Sequence, residues 1–463
     1  MPKNTIASQD NIPAEEITVH LSDDEIKDIS LAIEEQDVDT VNANLEDLTQ
    51  AETADLIAKL GEEDREELVG MYGEAIDPHV FNELDDELQR QTLASMDVPA
   101  IAVIISELES DDALELIENL DDDIQQAVIK KLSAKTRVTL EEGLTFPEDS
   151  AGRLMQRETV AIPHFWTAGK TVDYLREAAA ELPEDFFDVF VIDPTYHIVG
   201  QIPLNKLVRA KRPEKIENIG LTDIQTIPAD MDQEEVAHIF RRDNITSAPV
   251  TDENGRLLGV ITIDDVVDVI DDEAEEDILK LAGVDQGDLY RAVLSTTGTR
   301  FRWLFLNLLT AILASIVISL FDATIEQIVA LAVLMPIVAS MGGNAGTQAL
   351  TVAVRALATK EISSTNTWRM IGKETAVGSL NGILFAIIAG SIAAFWFNDI
   401  PLGTVIALAM TINLFVAGLF GAAIPILLDR TGHDPAVSST VLLTTITDVV
   451  GFFAFLGLAS VML

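Results

Sequence analysis

The sequence predicts a multidomain membrane protein, in which an all-α region and two α+β modules precede a bundle of transmembrane helices. Five long apolar stretches close the chain, two similar units of strands and helices come before them, and apolar residues recur at helical spacing nearer the N-terminus. The predicted segments are a disordered tail (1–20), an acidic helical domain (21–150), a first α+β module (151–213), a second (214–270), an acidic connecting helix (264–298) and a five-helix membrane domain (299–463).

The helical domain is predicted from the period of its apolar residues. Ile26, Ile29 and Ile33 share one helical face, and Leu114 and Ile117 share another. Acidic turn signals separate these runs and start new helices. The pattern therefore predicts several short helices packed on one apolar core.

Each α+β unit combines a short β-rich run, a turn centred on aspartate, and a glycine-containing strand that leads into a helix. The aspartate turns are residues 193–195 and 252–255. This arrangement resembles a tandem pair of CBS modules. The second unit also ends as such modules typically do, with the run 259–265.

Acidic residues outnumber basic ones 77 to 30, which gives a formal net charge of −47. Residues 291–463 contain eight basic and eight acidic residues, so the entire net charge lies in residues 1–290. Such a field repels nucleic acid and anionic lipid and attracts cations, so no nucleic-acid partner is expected. A salt-adapted organism could also carry this acidity to keep its proteins solvated.

The side-chain inventory favours a hard metal ion as ligand. The chain has no cysteine, and its six histidines show no paired spacing, so the available ligands are mostly oxygen atoms. Oxygen ligands suit Mg²⁺ or Ca²⁺ better than zinc. The first 25 residues show no signal-peptide pattern, and no Walker-type loop or nucleophile–base motif occurs, so no enzymatic activity is expected.

The apolar stretches are each long enough to cross about 30 Å of hydrocarbon. They lie near residues 303–321, 327–355, 376–397, 403–428 and 436–462. The Lys and Arg residues that flank them all fall on one side of the membrane: Arg300, Arg302, Arg355, Lys360, Arg369, Lys373 and Arg430. The positive-inside rule therefore predicts an inner (plasma) membrane protein with a cytosolic N-terminus and an extracytoplasmic C-terminus.

The second span contains Pro336 and then the polar, glycine-rich run 342–348. An ordinary lipid-facing helix lacks such a run, so we expect the helix to break there, with the segment either buried in protein or lining a water-filled cavity. The alternative is a helix-packing seam, because Gly342 and Gly346 are four residues apart.

The last span carries Asp448 near its middle, with Thr440 and Thr444 on the same helical face. A carboxylate there costs about 2.5–3.5 kcal/mol on insertion scales, so it is expected to face a wet path. The alternative is a carboxylate that only hydrogen-bonds to a neighbouring helix. The other acidic residues of the membrane domain lie at helix ends or in loops, so two copies of Asp448 across a twofold axis, in a homodimer, would supply the charge that a hydrated divalent ion needs.

The connecting helix carries a dense run of carboxylates between residues 264 and 277, directly before the first span. Like charges three or four residues apart each destabilise a helix by about 0.2–0.5 kcal/mol. The helix therefore repels itself unless cations neutralise it. The alternative is an ordinary solvated helix.

Taken together, the domain order, the runs 148–155 and 336–348, and the pair Asp448 and Gly451 resemble the MgtE-type magnesium channel family over nearly the whole chain. The resemblance implies that Asp448 and the backbone of Gly343 hold hydrated Mg²⁺ in a pore. It also implies regulatory Mg²⁺ ligands, namely Asp265, Asp268, Glu273 and Glu276 in the connecting helix and Asp111, Asp112 and Glu115 in the helical domain. Bound cytosolic Mg²⁺ would hold the connecting helix over the pore as a plug and close it.

CBS pairs often bind adenine nucleotides, and Thr262 with Asp265 matches their ribose-binding pattern, so ATP is a candidate regulatory ligand. The first module lacks the matching residues. Two other functions stay open. The membrane domain could carry another divalent ion such as Co²⁺ or Ni²⁺, although no histidine lies within a span. Alternatively, the spans could only anchor a CBS-type sensor, which would not need Asp448.

Overall fold

The computed structural model describes residues 21–463, apart from residues 47, 74, 75, 181, 184, 185, 221, 222, 285 and 364. The predicted tail (1–20) lies outside the described residues. The chain divides into two compact units between Ile270 and Asp271.

The first part of the N-terminal unit is helical, as predicted. Its helices are α1 Asp23–Glu34, α2 Val38–Glu46, α3 Gln50–Lys59, α4 Glu62–Tyr72, α5 Asp86–Ala94, α6 Val98–Glu107, α7 Ser110–Glu118, α8 Asp122–Ile129 and α9 Ala134–Gly143, with a 3₁₀ turn at Pro78–Phe81. Side-chain caps start several of them: Ser22 and Glu25 form a capping box on α1, as Thr49 and Glu52 do on α3. Ile29 and Ile33 are buried, as their spacing predicted.

Two sheets of the same topology follow. The first module contains α10 Ala151–Leu154, β1 Ala161–Pro163, α11 Ala168–Glu177, β2 Asp188–Ile192, β3 Ile198–Pro203 and α12 Leu204–Arg209; a 3₁₀ turn at Ile216–Asn218 leads to the second, with β4 Ile227–Pro228, α13 Gln233–Asp243, β5 Ser247–Thr251, β6 Leu257–Thr262 and α14 Ile263–Ala282. In each sheet the first strand runs parallel to the second, and the third runs antiparallel to it. The predicted tandem repeat is confirmed.

Aspartate builds the turn in each repeat. The Asp193 carboxylate accepts hydrogen bonds from the backbone N–H groups of Thr195 and His197, at 2.8 and 3.0 Å. In the second module, Asp252 accepts in the same way from Asn254 and Arg256, each at 2.8 Å. These bonds satisfy amides that the strands leave unpaired, which is why the sequence signal was reliable.

The run 148–155 joins the helical domain to the second module. The N–H groups of Ala151 and Gly152 donate to the carbonyls of Met231 and Ala229, at 2.7 and 2.8 Å. Gly152 has no room for a side chain, since a Cβ there would lie 2.4 Å from the Phe146 ring. The Arg153 guanidinium forms an ion pair with Glu118. The run therefore has a structural role.

Helix α14 is shorter than the predicted connecting segment, which extended to residue 298. It ends at Ala282 because Gly283 adopts a left-handed conformation, with φ +70°. The N–H groups of Gly283 and Val284 donate to the carbonyls of Lys280 and Leu279, at 3.1 and 3.0 Å, which is the Schellman pattern of helix termination.

Five helices of the described residues are long and apolar enough to cross a membrane, as predicted. They are α15 Val293–Ser319, α17 Ala330–Ala358, α18 Thr367–Phe397, α19 Ile400–Arg430 and α20 Pro435–Met462, with a short α16 Asp322–Gln327 after the first span. Helix α19 is the most buried of the five. Small residues bring it close to α18: a Cβ on Gly378 would lie 2.5 Å from the Leu414 carbonyl oxygen.

Candidate ion path and acidic cluster

Asp448 lies on a partly buried face of α20 together with Thr440 and Thr444. The Thr444 hydroxyl donates to the Thr440 carbonyl at 3.0 Å, so it is bonded to its own helix. No described residue donates a hydrogen bond or forms an ion pair with the Asp448 carboxylate. The alternative of a carboxylate held by a neighbouring helix therefore has no bond to support it.

The expected break in the second span is wrong, because α17 is a continuous helix through residues 342–348. Its glycines serve close packing instead. A Cβ on Gly342 would lie 2.3 Å from the Asn413 side chain, and a Cβ on Gly346 would lie 2.9 Å from Leu443. Glycine at these two positions lets α17 approach α19 and α20, which is the packing seam that the spacing allowed.

Gly343 differs from its neighbours, because a Cβ there would contact nothing within 4 Å. Its carbonyl is not freed: the Thr347 hydroxyl donates to it at 3.0 Å. Exposed polar residues continue this open face at helical spacing, and they are Ser340, Asn344, Thr347, Gln348 and Thr351. We call these five residues the polar stripe. Such a stripe cannot face hydrocarbon without cost, so it has to face protein or water.

The end of α14 packs against the membrane helices. The Lys280 ammonium forms an ion pair with Glu276, one turn earlier in α14. It forms a second ion pair, at 3.0 Å, with Asp434 at the start of α20. The Thr440 hydroxyl donates to the Leu281 carbonyl at 3.2 Å, so the end of α14 touches the face that carries Asp448. The Leu281 side chain packs on a cluster that includes Leu350 and Leu443.

Charge accumulates where α14 meets α20. Burial, together with the nearby carboxylates of Asp434 and Glu273, raises the pKa of Asp277 to about 6, while Lys280 opposes them. Burial opposes the charge of Lys280, but its hydrogen bonds to Glu276 and Asp434 outweigh burial and raise its pKa. Lys280 is thus the counter-ion of Glu276, Asp277 and Asp434.

A second acidic cluster lies within the N-terminal unit, between the start of α7 and the start of α14. Burial raises the pKa of Asp111 well above its usual range, and the charges of Asp265 and Asp112 add to the effect. Burial also raises the pKa of Asp265 to about 7, against the hydrogen bond that it accepts from Thr262. The pKa of Glu109 is raised to about 7 by burial and by Glu158. We call Glu109, Asp111, Asp112, Asp264, Asp265 and Asp268 the acidic cluster.

The structure places the other predicted regulatory residues as follows. Burial raises the pKa of Asp112, and Asp264 and Asp268 raise it further. Glu115 lies one helical turn beyond Asp111, where it accepts a hydrogen bond from Gln89 at 3.3 Å. Removal of its carboxylate from water raises the pKa of Glu115 to about 7, although part of the side chain stays accessible. Glu273 and Glu276 belong to the second unit. Among the described residues, no three acidic or histidine side chains are close enough together to hold one metal ion.

The predicted nucleotide pair is in contact. The Thr262 hydroxyl donates to Asp265 Oδ2 at 2.8 Å, and Thr262 is only 5% exposed. Asp265 therefore belongs both to this pair and to the acidic cluster.

Two residues of the membrane unit join helices in ways that the sequence did not predict. Asn413 is fully buried in α19, and Lys280 joins α14 to α20. Each had a signal: Asn413 is the single asparagine in its apolar stretch, and Lys280 is the single basic residue of an acidic helix. Their partners are distant in sequence, so the contacts themselves could not be predicted.

Known families match all three regions. The intracellular N domain of MgtE matches residues 48–149, the CBS domain matches 216–272, and a divalent cation transporter domain, MgtE, matches 335–458. The magnesium transporter MgtE of Thermus thermophilus is 34% identical over 359 residues, which are 76% of this chain and 78% of that protein. The magnesium transporter MgtE of Bacillus subtilis is 29% identical over 382 residues, or 82% and 84% of the two chains.

Among solved structures, the cytosolic domain of the Mg²⁺ channel MgtE in complex with ATP is 28% identical, and the match covers 53% of this chain and 99% of that one, with a TM-score of 0.49. The domain order and the spans agree with the three domain matches, and the family consists of transporters, not of enzymes. The chain therefore belongs to the MgtE family of magnesium transporters.

Proposed function

We propose that this protein is a Mg²⁺ channel of the inner (plasma) membrane, which passes hydrated Mg²⁺ into the cytosol down its electrochemical gradient and closes when cytosolic Mg²⁺ is high. The observation that carries the proposal is Asp448, a carboxylate in an apolar span that no described residue neutralises. The magnesium transporters similar to this chain support the choice of ion.

The hydrated ion would be held by few charges. Mg²⁺ dehydrates reluctantly, so a path for it needs carboxylates and carbonyls at the distance of its water shell. One Asp448 from each of two chains meets that need. The polar stripe of α17 supports a homodimer, because a second chain or a shared water-filled path would keep it from the lipid.

The orientation follows from the flanking charges. Arg300, Arg355, Arg369 and Arg430 lie at the helix ends that share a side with α14. By the positive-inside rule this side is the cytosol, and the C-terminus lies outside. A Mg²⁺ sensor on the α14 side would then report the cytosolic concentration.

Closure would use the acidic cluster and the end of α14. Mg²⁺ at the acidic cluster would relieve the repulsion between Asp111 and Asp265 and stabilise the start of α14. Since α14 is one continuous helix, this also favours the contact of its end with Thr440. When Mg²⁺ is low, repulsion would loosen the helix and open the path.

We also propose ATP as a ligand of the CBS pair, on the basis of Thr262 and Asp265. The carboxylate in this pair disfavours a free triphosphate and favours a Mg²⁺-bound one. Titration of the full-length protein with MgATP should show saturable binding, and Thr262→Val should weaken it.

The proposal is tested by Mg²⁺ flux into liposomes that contain the wild type, Asp448→Asn or Asp399→Asn. Asp448→Asn keeps the side-chain shape but removes the charge, so its flux should fall more than about tenfold, as expected for loss of a charged contact. Asp399→Asn is the matched control, because Asp399 only caps α19 and asparagine caps helices equally well.

Three outcomes would overturn the proposal. Undiminished flux through Asp448→Asn would remove the ion path assigned to α20. Absence of any flux in the wild type would favour a membrane-anchored sensor. Preference for Co²⁺ or Ni²⁺ over Mg²⁺ in the same liposomes would favour a carrier of those ions.

A further inference from the structure

Asn413 is a polar residue at the centre of the membrane unit that the proposed ion path does not use. It lies in α19 with no exposed surface, among apolar residues such as Met410 and Leu414. A buried amide in a span is costly unless its polar atoms are paired. Its partners therefore indicate what it is retained for.

The amide nitrogen of Asn413 bonds across to α17. Asn413 Nδ2 donates to the Val338 carbonyl oxygen at 2.8 Å. Because a carbonyl can only accept, this bond fixes which amide atom is nitrogen. The other atom, Oδ1, is buried and accepts no hydrogen bond from any residue that the structure describes.

The same side chain separates two glycines on different spans. A Cβ on Gly342 of α17 would lie 2.3 Å from Asn413 Nδ2, and a Cβ on Gly451 of α20 would lie 2.8 Å from it. A side chain larger than hydrogen at either position would force the Asn413 side chain to shift. The Asn413 amide thus packs between Gly342 of α17 and Gly451 of α20.

These two glycines adjoin the residues that the proposed path uses. Gly342 precedes Gly343, and Gly451 follows Asp448 by less than one helical turn. Asn413 therefore lies between two helix positions, one next to the open face at Gly343 and one near the carboxylate of Asp448.

We infer that Asn413 is a positioning residue of the ion path: its bond to Val338 and its contacts with Gly342 and Gly451 fix the spacing of α17 and α20, and so the size of hydrated ion that Asp448 accepts. The inference rests on the proposed function, and it assigns to Asn413 no direct contact with the ion. An incorrect spacing would admit ions with other hydration shells, because geometry selects Mg²⁺ among hard divalent ions.

The test uses full-length protein in liposomes, with flux of Mg²⁺ and of Ca²⁺ measured over a range of concentrations, and melting temperature measured in detergent. Asn413→Leu keeps the branching of the side chain at Cγ, is larger, and cannot donate to Val338. The ratio of Mg²⁺ to Ca²⁺ flux should fall about tenfold, because the variant loses the buried hydrogen bond that holds the spacing of the helices. The half-saturating Mg²⁺ concentration should change as well. Thr411→Val is the control, because the Thr411 hydroxyl donates to the Ala407 carbonyl of its own helix, at 3.0 Å.

A second variant separates packing from positioning. Gly342→Ala alone should lower the melting temperature, because its methyl group collides with Asn413. In the double variant Gly342→Ala/Asn413→Ala the collision is gone, so the melting temperature should recover while ion selectivity stays poor. Wild-type selectivity in either the double variant or Asn413→Leu would overturn the inference. The proposed function fails separately, if Asp448→Asn conducts normally.

Discussion

The carboxylates of Asp277 and Asp434 repel each other, and Lys280 forms an ion pair with Asp434. Burial raises the pKa of Asp277 to about 6 when α14 is packed on the membrane helices. The packed state therefore binds a proton more readily than a state in which Asp277 is in water, where its pKa returns to about 3.9. A residue in this position can make the closing of the path depend on pH.

We predict that Mg²⁺ flux decreases as the pH on the α14 side falls from 8 to 5 at a fixed, intermediate internal Mg²⁺ concentration. Protonation of Asp277 removes its repulsion from Asp434, so the packed state gains stability as pH falls through 6 and loses it as pH rises. Flux into liposomes at several internal pH values measures this. Asp277→Asn should flatten the part of the profile near pH 6, and a flux that increases as the pH falls would contradict the assignment.

At the scale of elements, the spans and the CBS repeat could be predicted from local pattern alone. Length and hydropathy mark a span, and an aspartate turn marks each repeat, because both depend on residues close in sequence. The glycines of α17 could not be interpreted correctly in this way. Their role depends on Asn413 and Leu443, which lie on other helices, so the sequence could not separate a broken helix from a packed one.

The residues of the candidate site could likewise be predicted only where the signal was local in the sequence or came from a family resemblance. Asp448 could be found because a carboxylate is rare in a span, and Asp111 and Asp265 came from the resemblance to a family. The Lys280–Asp434 ion pair and the hydrogen bond from Asn413 to Val338 join residues more than 70 positions apart, and only the packed structure brings them together.

The end of α14 offers a second prediction. Gly283 has φ +70°, where alanine costs about 1–2 kcal/mol, and a Cβ there would lie 2.1 Å from the Trp303 indole nitrogen. Gly283→Ala should therefore loosen the end of α14 and leave Mg²⁺ flux less sensitive to high internal Mg²⁺. Gly298→Ala is the matched control, since a Cβ there meets nothing within 4 Å. Equal inhibition of the two variants by internal Mg²⁺ would count against the contact as a gate.

At the scale of the whole molecule, the response of the acidic region to different salts can distinguish sensing from adaptation to salt. The N-terminal 290 residues carry the whole net charge, and the acidic cluster concentrates it at α7 and α14. General acidity would be screened by any salt. A specific divalent site would not be satisfied by monovalent ions.

We therefore predict that millimolar Mg²⁺ raises the melting temperature of the full-length protein in detergent more than NaCl of equal ionic strength does. Asp111→Asn with Asp265→Asn should remove most of the difference, because it removes two of the repelling charges that Mg²⁺ would neutralise. The same rise with NaCl as with Mg²⁺ would indicate that the acidity serves solvation alone.

The most direct test of a Mg²⁺ channel that closes from the cytosol is current in inside-out membrane patches, for the wild type and for Asp448→Asn. The wild type should carry a Mg²⁺ current at low cytosolic Mg²⁺, whose reversal potential follows the Mg²⁺ gradient alone, and the current should disappear reversibly as cytosolic Mg²⁺ is raised. Asp448→Asn should carry almost no current. Wild-type currents in Asp448→Asn, or a wild-type current that persists at high cytosolic Mg²⁺, would contradict the account.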